Sequence, residues 1–286
     1  MQNSCLITID VEEWFQVENL RSAFPKSTWK DQKSSVLKNT KNILNVLDKF
    51  NIKATFFILG LVAEKNPDIV TLISQDGHEI ASHGTDHDLT YNLDENQLFD
   101  DISKSKEQIE NLIGNKVQGY RAPNFSVDNK LINILRKLDF LYDSSYNPFQ
   151  LNSRYGKIDL NSPSDNGIYN LENNFYEVPL STLRMFNQHI PMAGGAYFRI
   201  FPLPLFKKLV KAKLKKDNLY HFYLHPWEFE PEQPRIRNIK LNYKLRHYTG
   251  LKKTEAKFEK LIQFLQEMNC QFLTISEYID KTKIKI

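Results

Sequence analysis

Three stretches of this 286-residue chain hold side chains that could do chemistry together. In "ITIDVEEWF" (7–15), an apolar run is followed by Asp10, Glu12 and Glu13, then by bulky Trp14 and Phe15. Acids ending a buried strand need a partner, since bare carboxylates sharing one place repel. In "SHGTDH" (82–87), His83 and His87 stand four residues apart. That spacing puts two imidazoles on one helical face, and a tight turn after a strand also brings them together. Two solvated loop histidines would show the same spacing, so the pair acquires meaning only beside an acid. Two histidines and one carboxylate suit a divalent cation such as zinc and leave positions open for water and substrate. One acid would hold the ion, and a second, kept ionised beside it, would serve as general base toward water. In "FYLHPWEF" (222–229), His225 ends a strand that Pro226 breaks. A catalytic histidine and a core histidine both fit that position.

The elements that must position these residues alternate. "CLITI" (5–9), "KATFFIL" (53–59), "HEIASH" (78–83), "VQGYRAP" and "FLYDSS" read as strands. Helical periodicity lies between them, over 35–50 and in a Pro-interrupted segment after Gly60. It is clearest over 94–114, with Asp94 as N-cap and Gly114 as C-cap, and returns in "VDNKLINILRKLD". Residues 146–197 hold most of the turn residues and read as an irregular, β-rich insertion. Alternation then resumes with "LPLFKKLVKAKLKK" as a core-docked helix, "LYHFYLH" (219–225) as a strand, a helix and a last strand "QFLTI". The pattern implies an α/β fold with parallel strands and crossover helices, in one domain spanning 1–286.

Composition is that of a globular protein, 41% hydrophobic and 25% charged, with length for a sizeable core. The +4 net charge is spread along the chain and no basic block is interleaved with aromatics, so nucleic acid is not an expected partner. Cys5 and Cys270 read as buried single thiols. No run is long and apolar enough to span a bilayer, and the start lacks the basic-then-apolar layout of a leader, which gives a cytoplasmic expectation. Nothing in the sequence specifies an oligomeric state.

"DVEEWF", "ATFFILG", "GHEIASHGTDH", "GYRAPNFS", "GGAYFR" and "FYLHPWEF", in this order, resemble the polysaccharide deacetylase family, the NodB-homology or carbohydrate esterase 4 fold. They look most like its subgroup from exopolysaccharide and exosortase-associated gene clusters. The resemblance implies an incomplete (β/α) barrel and a metal-dependent hydrolase that removes acetyl groups, N-acetyl before O-acetyl, from a glycan. It implies Asp10 as base, Glu12, His83 and His87 as metal ligands, and Arg121 as the partner that holds the base as an oriented carboxylate. It further implies the Asn124 backbone N–H as oxyanion donor and His225 as general acid. The chain departs from the family pattern in separating its two acids by Val11 and in using Glu as ligand. The acid and Trp that orient the family's histidine are sought here in Glu228, Trp227 or Glu177. Glu13 is expected at the surface or behind the site, because strand alternation turns it away from Glu12. Trp227 and Tyr248 are candidate sugar contacts, and Gly194 and Gly195 allow close approach of a ligand or make a simple turn. Two other functions share these motifs: hydrolysis of a cyclic amide or ureide on the same fold, and glycan binding without turnover.

Overall fold

The N-terminal apolar run forms the strand around which the sheet is arranged. β1 (Ser4–Val11) is buried at all eight positions. The computed structural model describes residues 2–149, 155–158, 160, 167–171, 174–185 and 188–283. The further strands are β2 (Thr55–Ile58), β3 (Glu79–Ser82), β4 (Gly119–Tyr120), β5 (Tyr142–Asp143), β6 (Tyr169–Asn170), β7 (Tyr176–Glu177), β8 (Thr182–Met185), β9 (Gln188–Pro191), β10 (Leu219–Leu224) and β11 (Gln271–Leu273). Their order in the main sheet is β10-β1-β2-β3-β4-β5-β7-β6, with β11 also on β1. β10 covers one edge of β1 along Ser4–Ile9, while β11 and β2 share the other, pairing with Ser4–Leu6 and Thr8–Val11. All these pairings are parallel except β6 with β7. The result is an incomplete, curled (β/α) barrel, with the parallel strands that the alternation implied and the architecture that the resemblance implied.

Alternation along β1 sorts its side chains by environment. Cys5, Ile7, Ile9 and Val11 face the helical layer, in one cluster with residues of α1 (Val36–Lys49), α3 (Pro67–Gln75), α4 (Glu95–Ile113), α5 (Asn129–Lys137), α7 (Leu203–Asp217) and α9 (Thr254–Glu267). Leu6, Thr8 and Asp10 face inward. Leu6 packs with Phe57, Ala81 and Tyr142 and with Ile275 and Ile279 of α10 (Ile275–Lys283). Thr8 and Asp10 stand above that plug and bind an arginine, described below. α2 (Gly60–Lys65) and α3 are the two halves of the Pro-interrupted helix, with Pro67 at the first position where its missing N–H costs nothing. Asp94 and Gln97 form a capping box at the start of α4, and Gly114 closes its end at φ 68°.

Two expectations change. β7 pairs in parallel with β5, so part of 146–197 continues the main sheet rather than forming an insertion, and among the described residues β8 and β9 stand apart as a hairpin. Much of the turn-rich sequence before β7 lies outside the described residues. The last strand is β11, as expected, and α10 follows it, its first amides at Ile275 and Ser276 donating to Glu79. Gly194 approaches backbone, not ligand: it bridges Tyr223 of β10 at φ 145°, and a Cβ there would lie 1.8 Å from the Tyr223 carbonyl oxygen. Gly194→Ala is therefore expected to destabilise the protein by about 1–3 kcal/mol, read as a lower urea midpoint.

Candidate active site

The functional side chains leave the C-terminal ends of parallel strands, where this architecture gathers its loops. Asp10 lies near the end of β1 and Glu12 just past it, His83 directly follows β3, Arg121 follows β4 and His225 follows β10. His83 and His87 converge through a loop rather than a helix. Asp101 of α4 accepts the Thr85 and Asp86 amides at 3.0 and 3.1 Å and so pins that loop, while Gly84 (φ 74°) and His87 (φ 56°) turn it.

Glu12, His83 and His87 are buried, and their candidate ligand atoms all lie within 4.8 Å of one another. His83 Nδ1 is 2.7 Å from the Arg121 carbonyl oxygen, which can only accept, so Nδ1 carries the proton and Nε2 keeps its lone pair. Trp227 Nε1 donates to Glu12 Oε1 at 3.1 Å, and Glu12 Oε2 contacts His87 Nε2. His87 Nδ1 is buried without a partner among the described residues. Burial alone would raise the Glu12 carboxyl, but His87, with His225 and His83 behind it, brings it down to about 2. A buried set of two imidazoles and an ionised carboxylate, with one carboxylate oxygen held aside by Trp227, fits a divalent cation.

Asp10 stands beside that cluster and is not among the three residues whose candidate ligand atoms converge. Its Oδ1 accepts from Arg121 Nη1 at 2.6 Å. Arg121 is wholly buried, and its remaining donors reach Thr8 Oγ1, Ser144 oxygens and His221 Nε2 at 2.9–3.0 Å. His221 Nδ1 donates to the Pro179 carbonyl, which leaves Nε2 to accept from Arg121. Burial and the guanidinium hold His221 well below the usual histidine range, so it is a neutral support. The Arg121 plane also lies 4.0 Å from the centre of the Phe57 ring. Arg121 is thus fixed from several sides, and Asp10 with it.

His225 Nε2 points at both acids, 3.9 Å from Asp10 Oδ2 and 3.7 Å from Glu12 Oε1. Its Nδ1 lies 2.8 Å from Glu228 Oε1, and Glu228 Oε2 accepts from Arg199 Nε at 2.5 Å. Burial lowers the imidazole, but the Glu228 hydrogen bond and the surrounding carboxylates outweigh it and raise His225 to about 9. Burial opposes ionisation of Glu228 too, yet Arg199 and His225 bring its carboxyl below the usual range. Arg199 spends its other donors on the Arg246, His247 and Thr249 carbonyls. Of the three residues considered for orienting His225, Glu228 does so directly and Trp227 stacks on its ring. Glu177 does not: it lies beside Asp143 and accepts the Tyr146 amide.

Asp10, Glu12, His83, His87, Asn124, Trp227 and His225 all line one cavity of about 470 Å3. Asn124 and Phe125 take successive left-handed conformations (φ 53° and 58°), and Asn124 Nδ2 is buried without a partner among the described residues. Tyr248 is not among the lining residues. Its hydroxyl accepts the Ile236 amide and donates to the Pro234 carbonyl, so the expected sugar contact is a loop brace instead. Trp227 presents its edge, since its ring stacks on His225 and on His247. Glu13 is buried behind the site rather than superficial: it turns away from Glu12 and accepts the Ser35 and Val36 amides at the start of α1. Trp14 and Phe15 belong to an aromatic cluster with Trp29 and Trp227. Arg199 was not singled out from sequence, although it is the last residue of "GGAYFR".

Residues 27–142 match the family model described as polysaccharide deacetylase, and residues 144–280 match one described as a domain of unknown function (DUF3473). The first match holds His83, His87, Arg121 and Asn124, the second His225, Glu228 and Arg199, and Asp10 and Glu12 precede both. A peptidoglycan-N-acetylglucosamine deacetylase of Bacillus cereus is 40% identical over 89 residues, 31% of this chain and 30% of that protein. The peptidoglycan deacetylase-like protein FGM2 of Gibberella zeae is 37% identical over 105 residues, 36% of this chain and 31% of that protein. The chain thus spans about a third of the length of these relatives. Among solved structures, the Xyl-CE4 domain of a multidomain xylanase from the hindgut metagenome of Trinervitermes trinervoides aligns over 99% of this chain and 92% of its own, with TM-score 0.53 and 17% identity. A CE4 family pseudoenzyme from Bacillus anthracis aligns over 98% of this chain and 66% of its own, with TM-score 0.56 and 15% identity. The barrel architecture is therefore that of the carbohydrate esterase 4 proteins.

Proposed function

We propose that this chain, which carries a polysaccharide deacetylase domain, is a zinc-dependent hydrolase that removes acetyl groups from a polysaccharide or its oligosaccharide precursor, N-acetyl in preference to O-acetyl. One observation carries the reading: a possible metal cluster, a base-like carboxylate and a histidine hydrogen-bonded to a buried carboxylate converge on one cavity. A fold shared with a pseudoenzyme does not distinguish turnover from binding, whereas this set of residues favours turnover.

Glu12, His83 and His87 would hold the ion, and zinc suits two imidazoles and one carboxylate. A divalent ion in that site supplies Lewis-acid polarisation of a carbonyl and makes water more acidic. Asp10, oriented by Arg121, would take the proton of the attacking water. The Asn124 N–H would face the developing oxyanion. His225, which is mostly protonated at neutral pH, would give its proton to the departing sugar nitrogen or oxygen. The two matched segments would act as one unit, because β1 from the first part of the chain lies between β10 and β2.

Acetate release from chitotetraose and from acetylated xylan, with allantoin as a cyclic ureide control, tests this reading. Release that stops with a chelator and returns with zinc supports it. Ring opening of allantoin without acetate release, or binding of every acetylated sugar without turnover, overturns it. Glu228→Gln adds a pH test. With the carboxylate gone, the His225 pKa falls from about 9. Because the protonated imidazole is the working acid, the basic limb of kcat/KM moves to lower pH. An unmoved limb would remove Glu228 from the account of His225.

A further inference from the structure

The cavity holds a cation that the deacetylation scheme does not use. Arg246, on α8 (Leu241–Tyr248), lines it together with His83 and His225. The other arginines around the site have acids: Arg121 has Asp10 at 2.6 Å, Arg199 has Glu228 at 2.5 Å, and Arg21 has Glu18 at 3.5 Å. Among the described residues no carboxylate forms an ion pair with Arg246, and its Nε is buried without an acceptor. Its neighbours are the phenols of Tyr155, Tyr197 and Tyr223, with the guanidinium carbon 5.4 Å from the centre of the Tyr197 ring. Arg246 is half-buried, with its Nε wholly so; neutral phenols do not balance its charge, and a partly desolvated guanidinium gains from an anion that arrives with the ligand. The tyrosines and nearby Asn242 supply the mixed apolar and polar wall that a sugar ring can rest against.

We propose that the glycan is acidic and that Arg246 takes the carboxylate of a uronic acid residue near the sugar being deacetylated. The planar fork of a guanidinium matches a planar carboxylate in two parallel hydrogen bonds. This rests on the deacetylase reading for the reaction, but the binding step can be measured without it.

The test is calorimetric titration, in the presence of zinc, with hyaluronan tetrasaccharide and with chitotetraose, both N-acetylated but only the first carrying carboxylates. The acidic sugar is expected to bind at least about tenfold more tightly at low salt, with the preference shrinking as ionic strength rises. Arg246→Gln should bring the ratio of the two affinities close to one, and Arg246→Lys should keep part of it. Equal affinities in the parent protein overturn the proposal. So does a preference that survives Arg246→Gln in a variant whose thermal melt shows it folded. Acetate release from the same two sugars is read separately. No release from either sinks the deacetylase reading and leaves the anion site to be judged on binding, whereas release from both without preference for the acidic one sinks the anion site alone.

Discussion

His83→Ala is expected to lower the affinity for zinc by at least about 100-fold and to leave acetate release near background. Changes to groups that only support metal ligands typically cost about 10–100-fold in affinity or activity, and here a direct ligand would be lost. His83 is well suited to be that ligand. Its Nδ1 is committed to the Arg121 carbonyl at 2.7 Å, so the ring cannot swing away, and Nε2 lies with Glu12 and His87 in one buried cluster. Calorimetry with zinc measures the first effect, and acetate assays measure the second. Wild-type zinc affinity in the variant would remove His83 from the cluster.

The second large effect is on stability. Arg121→Leu is expected to destabilise the protein by about 3–5 kcal/mol, because Asp10 would be left buried without its partner. Thr8, Ser144 and His221 would also lose the donor that joins them. Proteins of this kind have about 5–15 kcal/mol to lose, so poor solubility or a much lower urea midpoint is the expected readout. The double variant Asp10→Asn with Arg121→Leu separates the causes. If the buried charge is the main cost, removing it recovers part of the loss. If the double variant is no more stable than Arg121→Leu, the cost lies in the hydrogen-bond hub.

Much of this arrangement is legible in the sequence, for a local reason. Asp10, Glu12, His83, Arg121 and His225 each sit at or just past the end of an apolar run, and parallel strands bring such ends to one rim. The expectation that Glu13 turns away from Glu12 also holds, although both lie past the end of β1. It did not say what Glu13 would meet, and the answer is the Ser35 and Val36 amides, more than twenty residues later. Arg199 stayed hidden for the same kind of reason: its acid, Glu228, is 29 residues away, and nothing local distinguishes a buried arginine from a solvated one. A signal was available in its place within the short helix α6 (Gly195–Ile200), "GAYFRI", whose aromatics make it a poor setting for a solvated cation. Tyr248 was misplaced because its motif lies on α8, where neighbouring positions point apart: Arg246 faces the cavity while Tyr248 braces the 234–236 loop. β7 was read as part of an insertion because a two-residue strand leaves almost no periodic signal.

The central claim is that one ion is held by Glu12, His83 and His87 while Asp10 stays with Arg121. Anomalous diffraction at the zinc edge, from crystals grown with one equivalent of zinc, tests it most directly. The account predicts a single strong peak in the cavity, bonded to one Glu12 oxygen and one nitrogen from each histidine, with the Asp10–Arg121 pair intact. A peak on Asp10 that leaves Glu12 aside, or full zinc occupancy with no peak in the cavity, would contradict it.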